Sequence, residues 1–96
     1  MSGLQDIRAC EGRVEGRVQG VSFRAAMQAA ARQCGVVGWV RNCPDGSVEF
    51  RAQGDAAAVQ QLLDWSRRGP PGASVDAFNA RETESRPGLT DFEVRF

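Results

Sequence analysis

The chain has 96 residues, 42% of them hydrophobic and 25% charged, with twelve basic and twelve acidic side chains. This describes one ordinary globular domain spanning residues 1–96, and a formal charge of zero argues against a general binder of nucleic acid or anionic membrane. All twelve basic residues are arginine and histidine is absent, which removes the usual general base, proton shuttle and commonest metal ligand.

The opening "MSGLQDIRAC" has no apolar core of the kind a secretory signal needs, and no apolar run is long enough to span a bilayer. Cys10, Cys34 and Cys43 are odd in number and lack paired spacing, so neither a disulfide framework nor a zinc site is expected. Reduced thiols and a cytoplasmic location are the expectation. Residues 8–18 read as a strand with Cys10, Gly12 and Val14 on one face. The doubled "EGRV" within it is too short for a repeat architecture; its two glycines are unfavourable to a strand, and Gly12 could loosen it.

From Phe23 the period changes. Phe23, Ala26, Met27, Ala30, Ala31 and Cys34 fall at helical spacing, with Ser22 as the expected N-cap and Gly35 as a left-handed C-cap. "VVGWVRN" (36–42) is a β-branched and aromatic strand, "CPDG" a turn in which Asp45 bonds its own backbone, and "SVEFRA" an alternating strand. In that strand Val48, Phe50 and Ala52 should face inward, and Glu49 and Arg51 outward. Asp55 then opens a second helix whose buried stripe is Ala58, Val59, Leu62, Leu63 and Trp65 or Ser66, stopped by "RRGPPG". A strand near residues 74–81, a polar loop, and a short strand through Phe92, Val94 and Phe96 complete the chain. The order β-α-β-β-α-β is that of an α+β, ferredoxin-like sandwich, an antiparallel sheet with two helices on one face.

No acidic residue lies between Glu15 and Asp45, yet Arg17, Arg24, Arg32 and Arg41 do. Arg24 stands in the first turn of the first helix, where the helix dipole disfavours a cation. Unpaired first-turn amides form an anion site, Gly16 and Gly20 allow close backbone approach, and a guanidinium fork matches phosphate oxygens. The arrangement is accounted for if the missing negative charge belongs to a ligand; a commonplace glycine turn with an exposed arginine is the alternative. The two strands flanking the first helix run parallel in such a crossover, so Asn42 reaches the same sheet edge with one strand between, a gap of roughly 10 Å. Asn42 taken alone would also serve as a turn residue before "CPDG". Neighbouring Cys43 has no histidine or lysine in the chain to activate it, so a thiolate nucleophile is not expected. A phosphate cradle without acid–base machinery suits a phosphoanhydride whose carboxylate leaving group needs little help.

"GRVQGVSFR" (16–24) and "GWVRNCPDGSVE" (38–49), with "GPPGASV" and the closing "FEVRF", resemble the paired signatures of acylphosphatase from about Arg13 to the C-terminus. The resemblance implies a small ferredoxin-like enzyme that hydrolyses the carboxyl–phosphate bond of acyl phosphates without metal or cofactor. It implies that Arg24 binds phosphate with the backbone amides of Gln19, Gly20, Val21, Ser22 and Phe23, and that Asn42 orients the attacking water. Inorganic phosphate is then product and competing ligand, and no nucleic acid or membrane partner is expected of what would be a monomer. Ser22 departs from the glycine or aromatic frequent in the family, and either adds a hydroxyl to the cradle or caps the helix. Cys43 also departs from the family pattern and could make the site oxidation-sensitive. The rival readings are an acyl phosphate-binding domain without turnover, an RNA-binding module, and a metal-carrying module. The RNA module would want aromatics on the first strand, and the metal module a cysteine pair near the first loop.

Overall fold

A computed structural model describes residues 6–96; residues 1–5 of the expected domain lie outside the described residues. The elements run β1 (Ile7–Arg17), α1 (Phe23–Cys34), β2 (Val37–Asn42), β3 (Val48–Asp55), α2 (Ala56–Arg68), β4 (Ser74–Glu82) and β5 (Phe92–Arg95). The strands form one sheet in the order β4-β1-β3-β2-β5, so β3 does separate β1 from β2.

Register follows from period-two alternation. Cys10, Gly12 and Val14 of β1 lie beside Ala52, Phe50 and Val48 of β3, which lie beside Gly38, Val40 and Asn42 of β2. The two helices cover this face, α1 with Phe23, Met27 and Ala31 and α2 with Val59, Leu62 and Leu63, in one continuous core. Each full-sized apolar side chain so buried contributes about 1.5–3 kcal/mol. Ser66 of α2 is buried as well, and its hydroxyl donates to the Leu62 carbonyl at 2.8 Å, which satisfies it within the helix.

Four points differ from the sequence-based expectations. Strands β4, β1, β3 and β2 are antiparallel neighbours, but β5 pairs parallel with β2 (Gly38 beside Phe92, Val40 beside Val94), which makes the whole sheet mixed. Gly12 does not loosen β1: a Cβ there would stand 2.3 Å from the Phe50 ring, so the glycine is the space that the ring fills. Arg51 points away from the helices as expected, yet it is only 1% exposed, because residues 83–86 cross over it and the Glu84 carbonyl accepts from its guanidinium. Ser22 and Asp55 occupy the N-cap positions of α1 and α2, but neither side chain makes a capping hydrogen bond. Among the described residues no helix is long and apolar enough to cross a membrane.

Candidate active site

The chain leaves β1 through buried Val18 and turns at Gly20 (φ 76°) into α1. Ser22 holds φ 61°, the one non-glycine residue at positive φ among those described, a conformation that costs about 1–2 kcal/mol. Gly20 and Ser22 both hold positive φ, and left-handed residues of this kind are a component of the backbone turns from which anion-binding concavities are built. The buried ring of Phe23, tilted against Trp65 with centroids 5.5 Å apart, anchors the first turn. The first intrahelical bond runs from the Ala26 N–H to the Ser22 carbonyl (3.0 Å), so the amides of Phe23, Arg24 and Ala25 precede it. No side chain caps them and no acid stands in that turn.

Arg24 projects from this turn toward the end of β5. Its Nη1 donates to the Arg95 carbonyl at 2.9 Å, and its guanidinium lies 4.7 Å from the centroid of the Phe96 ring. A neutral carbonyl and a ring face hold the group in place and leave its charge uncompensated. Of the other cations in the acid-free stretch, Arg32 forms a two-bond pair with Asp91 and Arg41 pairs with Glu49, while Arg17 is exposed and lies outside the cavity that Arg24 lines. Among the described residues Arg24 forms no ion pair.

Asn42 ends β2 and enters the turn to β3. That turn is rigid, because Asp45 accepts from both the amide (3.0 Å) and the hydroxyl (2.6 Å) of Ser47, bonds that hold its carboxyl below the usual range. The carboxamide of Gln19 spans the gap between loop and turn, its nitrogen donating to the carbonyls of Cys43 (2.8 Å) and Ser47 (2.9 Å). The phosphate-loop candidate and the Asn42 candidate are thereby fastened together.

A cavity of about 430 Å³ opens between these parts, lined by Val18, Gly20, Ser22, Phe23, Arg24, Ala25, Asn42, Val94 and Phe96. A larger hollow of about 590 Å³ lies on the helix-free face, but there Arg13, Arg41 and Arg81 each already meet a carboxylate. The smaller cavity is the one with an unspent positive charge.

The model of the acylphosphatase family matches residues 10–94, which takes in both the loop and the Asn42 turn. The chain belongs to the acylphosphatase family. It is 56% identical over 81 residues to the acylphosphatase of Gloeobacter violaceus, covering 84% of this chain and 86% of that protein. With the acylphosphatase of Methylococcus capsulatus it shares 51% over 81 residues, covering 84% and 88%. The crystal structure of acylphosphatase from Bacillus subtilis superimposes with a TM-score of 0.88 at 34% identity, over 93% of this chain and 99% of that one. The acylphosphatase of Coxiella burnetii gives 0.90 at 32% identity, over 98% and 100%.

Within this acylphosphatase fold, Arg24, Asn42, Gly20, Ser22 and Phe23 come together at one cavity, while the side chain of Gln19 turns to the Cys43 and Ser47 carbonyls. Val21 packs against the core. Sequence reasoning missed the contributions of β5, namely Val94, the Arg95 carbonyl and Phe96. The one available signal was the alternation of "FEVRF"; which edge of the sheet that strand joins is invisible in four residues. Among the described residues no three His, Cys, Asp or Glu side chains cluster as a metal site would require.

Proposed function

We propose that this acylphosphatase hydrolyses acyl phosphates by holding the phosphoryl group on Arg24 and the amides of residues 19–23 while Asn42 orients the attacking water. The supporting observation is a single cavity that joins an uncapped helix N-terminus, an unpaired guanidinium and a carboxamide delivered from a separate strand. Water oxygen attacks phosphorus, the P–O bond to the acyl group breaks, and the carboxylate departs with the bonding pair. The water proton passes to a phosphoryl oxygen of the substrate itself, so no side chain need act as base. The protein supplies position and charge stabilisation, which is most of what phosphoryl transfer demands.

The test is hydrolysis of benzoyl phosphate by the purified chain with EDTA present. Arg24→Ala is expected to lower kcat/KM by about 10³-fold and Asn42→Ala by about 10²-fold, each with the far-UV spectrum of the folded protein. Inorganic phosphate should compete with substrate. Phosphate binding without turnover in the unaltered protein would leave an anion-binding domain and end the catalytic reading.

A further inference from the structure

The cavity has two unlike walls. One carries the amides, the Arg24 guanidinium and the Asn42 carboxamide; the other is formed by half-buried Val94 of β5 and the ring of Phe96, which follows the strand. Phe96 is fully exposed at 100%. Ile7 is the other exposed large apolar side chain among the described residues, and it lies where β1 begins, at the opposite end of that strand from the loop. Isolated exposed apolar residues need no explanation in general, but this ring stands beside the one charge in the cavity. Arg24 rests against it, 4.7 Å from the centroid, and much of the remaining ring surface is free.

From this we propose that Phe96, backed by Val94, is the surface against which the acyl group lies, so that the enzyme selects acyl phosphates with an uncharged, apolar, ring-sized substituent over small ones. The inference rests on the reading of this cavity as an acyl phosphate site. A phosphoryl group gripped by Arg24 places the acyl carbon one oxygen away, and its substituent then extends from beside the guanidinium, where the ring begins. Arg24 is the one charged side chain that lines the cavity and is taken up by the phosphoryl group, so a carboxylate on the substituent would lose water without gaining a cationic partner. An apolar substituent loses nothing and covers the ring.

The ring has a second effect that must be kept separate. By supporting Arg24 it should help every substrate and phosphate alike, whereas contact with the substituent helps only substrates that have one. The decisive quantity is therefore a ratio, kcat/KM for benzoyl phosphate over kcat/KM for acetyl phosphate, measured on one preparation so that any unfolded fraction cancels. Phe96→Ala is expected to lower this ratio about tenfold, the scale of a lost apolar contact in a specificity pocket. Phe96→Leu, which keeps apolar bulk without an aromatic face, should retain most of the preference even if both rates fall. Equal losses for the two substrates in Phe96→Ala, or no change in either, would overturn the proposal while leaving the catalytic reading intact. Failure of the unaltered enzyme to hydrolyse either substrate would overturn both.

Discussion

Arg51 carries a charge into a place almost without water. Its Nη2 donates to the Glu84 carbonyl (3.0 Å), its Nη1 to Gln53 (3.3 Å), and its Nε, which makes no hydrogen bond, lies 3.6 Å from Glu11. Removing one member of a buried charged set costs about 3–5 kcal/mol, and Glu11 keeps some water and a second cation, Arg81. Arg51→Ala should therefore lose about 3 kcal/mol in urea unfolding, and Arg51→Met, which keeps the packing of the stem, about 1 kcal/mol less. Unchanged stability in the alanine variant would mean that the segment over Arg51 is held by something else. Cys10 makes a second residue-level case. Burial, then its bond to Glu82 (3.2 Å), pushes this thiol up to about 11. Ellman's reagent at about pH 8 should titrate Cys34 and Cys43 in the folded protein and all three thiols only after denaturation. Neither property was legible in the sequence. Alternation gives the face on which a residue lies, but the cover over Arg51 comes from residues 83–86, more than thirty positions away.

At the scale of elements, three strands are laced together on the helix-free face by Glu49 of β3, which accepts from Arg41 of β2 (2.6 Å) and Arg13 of β1 (3.0 Å). The bond from Arg41 is the main reason that its carboxyl sits below the ordinary range. A depressed folded-state pKa stabilises fully above the unfolded value and loses that contribution as pH falls through the folded one. The urea midpoint should therefore drop between about pH 6 and about pH 3, and Glu49→Gln should make that drop shallower. An identical slope in the variant would show that other carboxylates govern acid unfolding. The elements themselves were largely readable, because the change from period two to period 3.6 at Phe23 and the Asp45–Gly46 turn are local signals. Strand β5 was readable as a strand but not as a parallel one. Alternation in Phe92–Arg95 is the same whichever neighbour it joins, and the choice is fixed by distant contacts such as Arg32 with Asp91 and Gln28 with the Phe92 carbonyl.

At the scale of the molecule, the candidate site draws on the loop after β1, the start of α1, the end of β2 and the end of β5. A ligand that bridges so many elements must couple to global unfolding. Inorganic phosphate at about ten times its Kd should raise stability by about 1.4 kcal/mol, seen as several degrees in Tm, and Arg24→Ala should abolish the shift. A shift that survives in the variant would place the anion elsewhere. The meeting of Arg24 and Asn42 at one cavity was legible because glycines, an acid-free stretch and strand order are written in the chain. The part supplied by β5 was not, since a backbone carbonyl has no letter of its own and an aromatic at a strand end reads as packing.

Arg24 and the carbonyl that holds it are separated by 71 positions. While the chain is being made, α1 leaves the ribosome long before β5, and for that interval the guanidinium has neither the Arg95 carbonyl nor the Phe96 ring to rest on. The cavity closes only when β5 slots in beside β2. Docking of that strand, and not translation of Arg24 and Asn42, sets the moment at which a nascent chain first possesses a complete cavity.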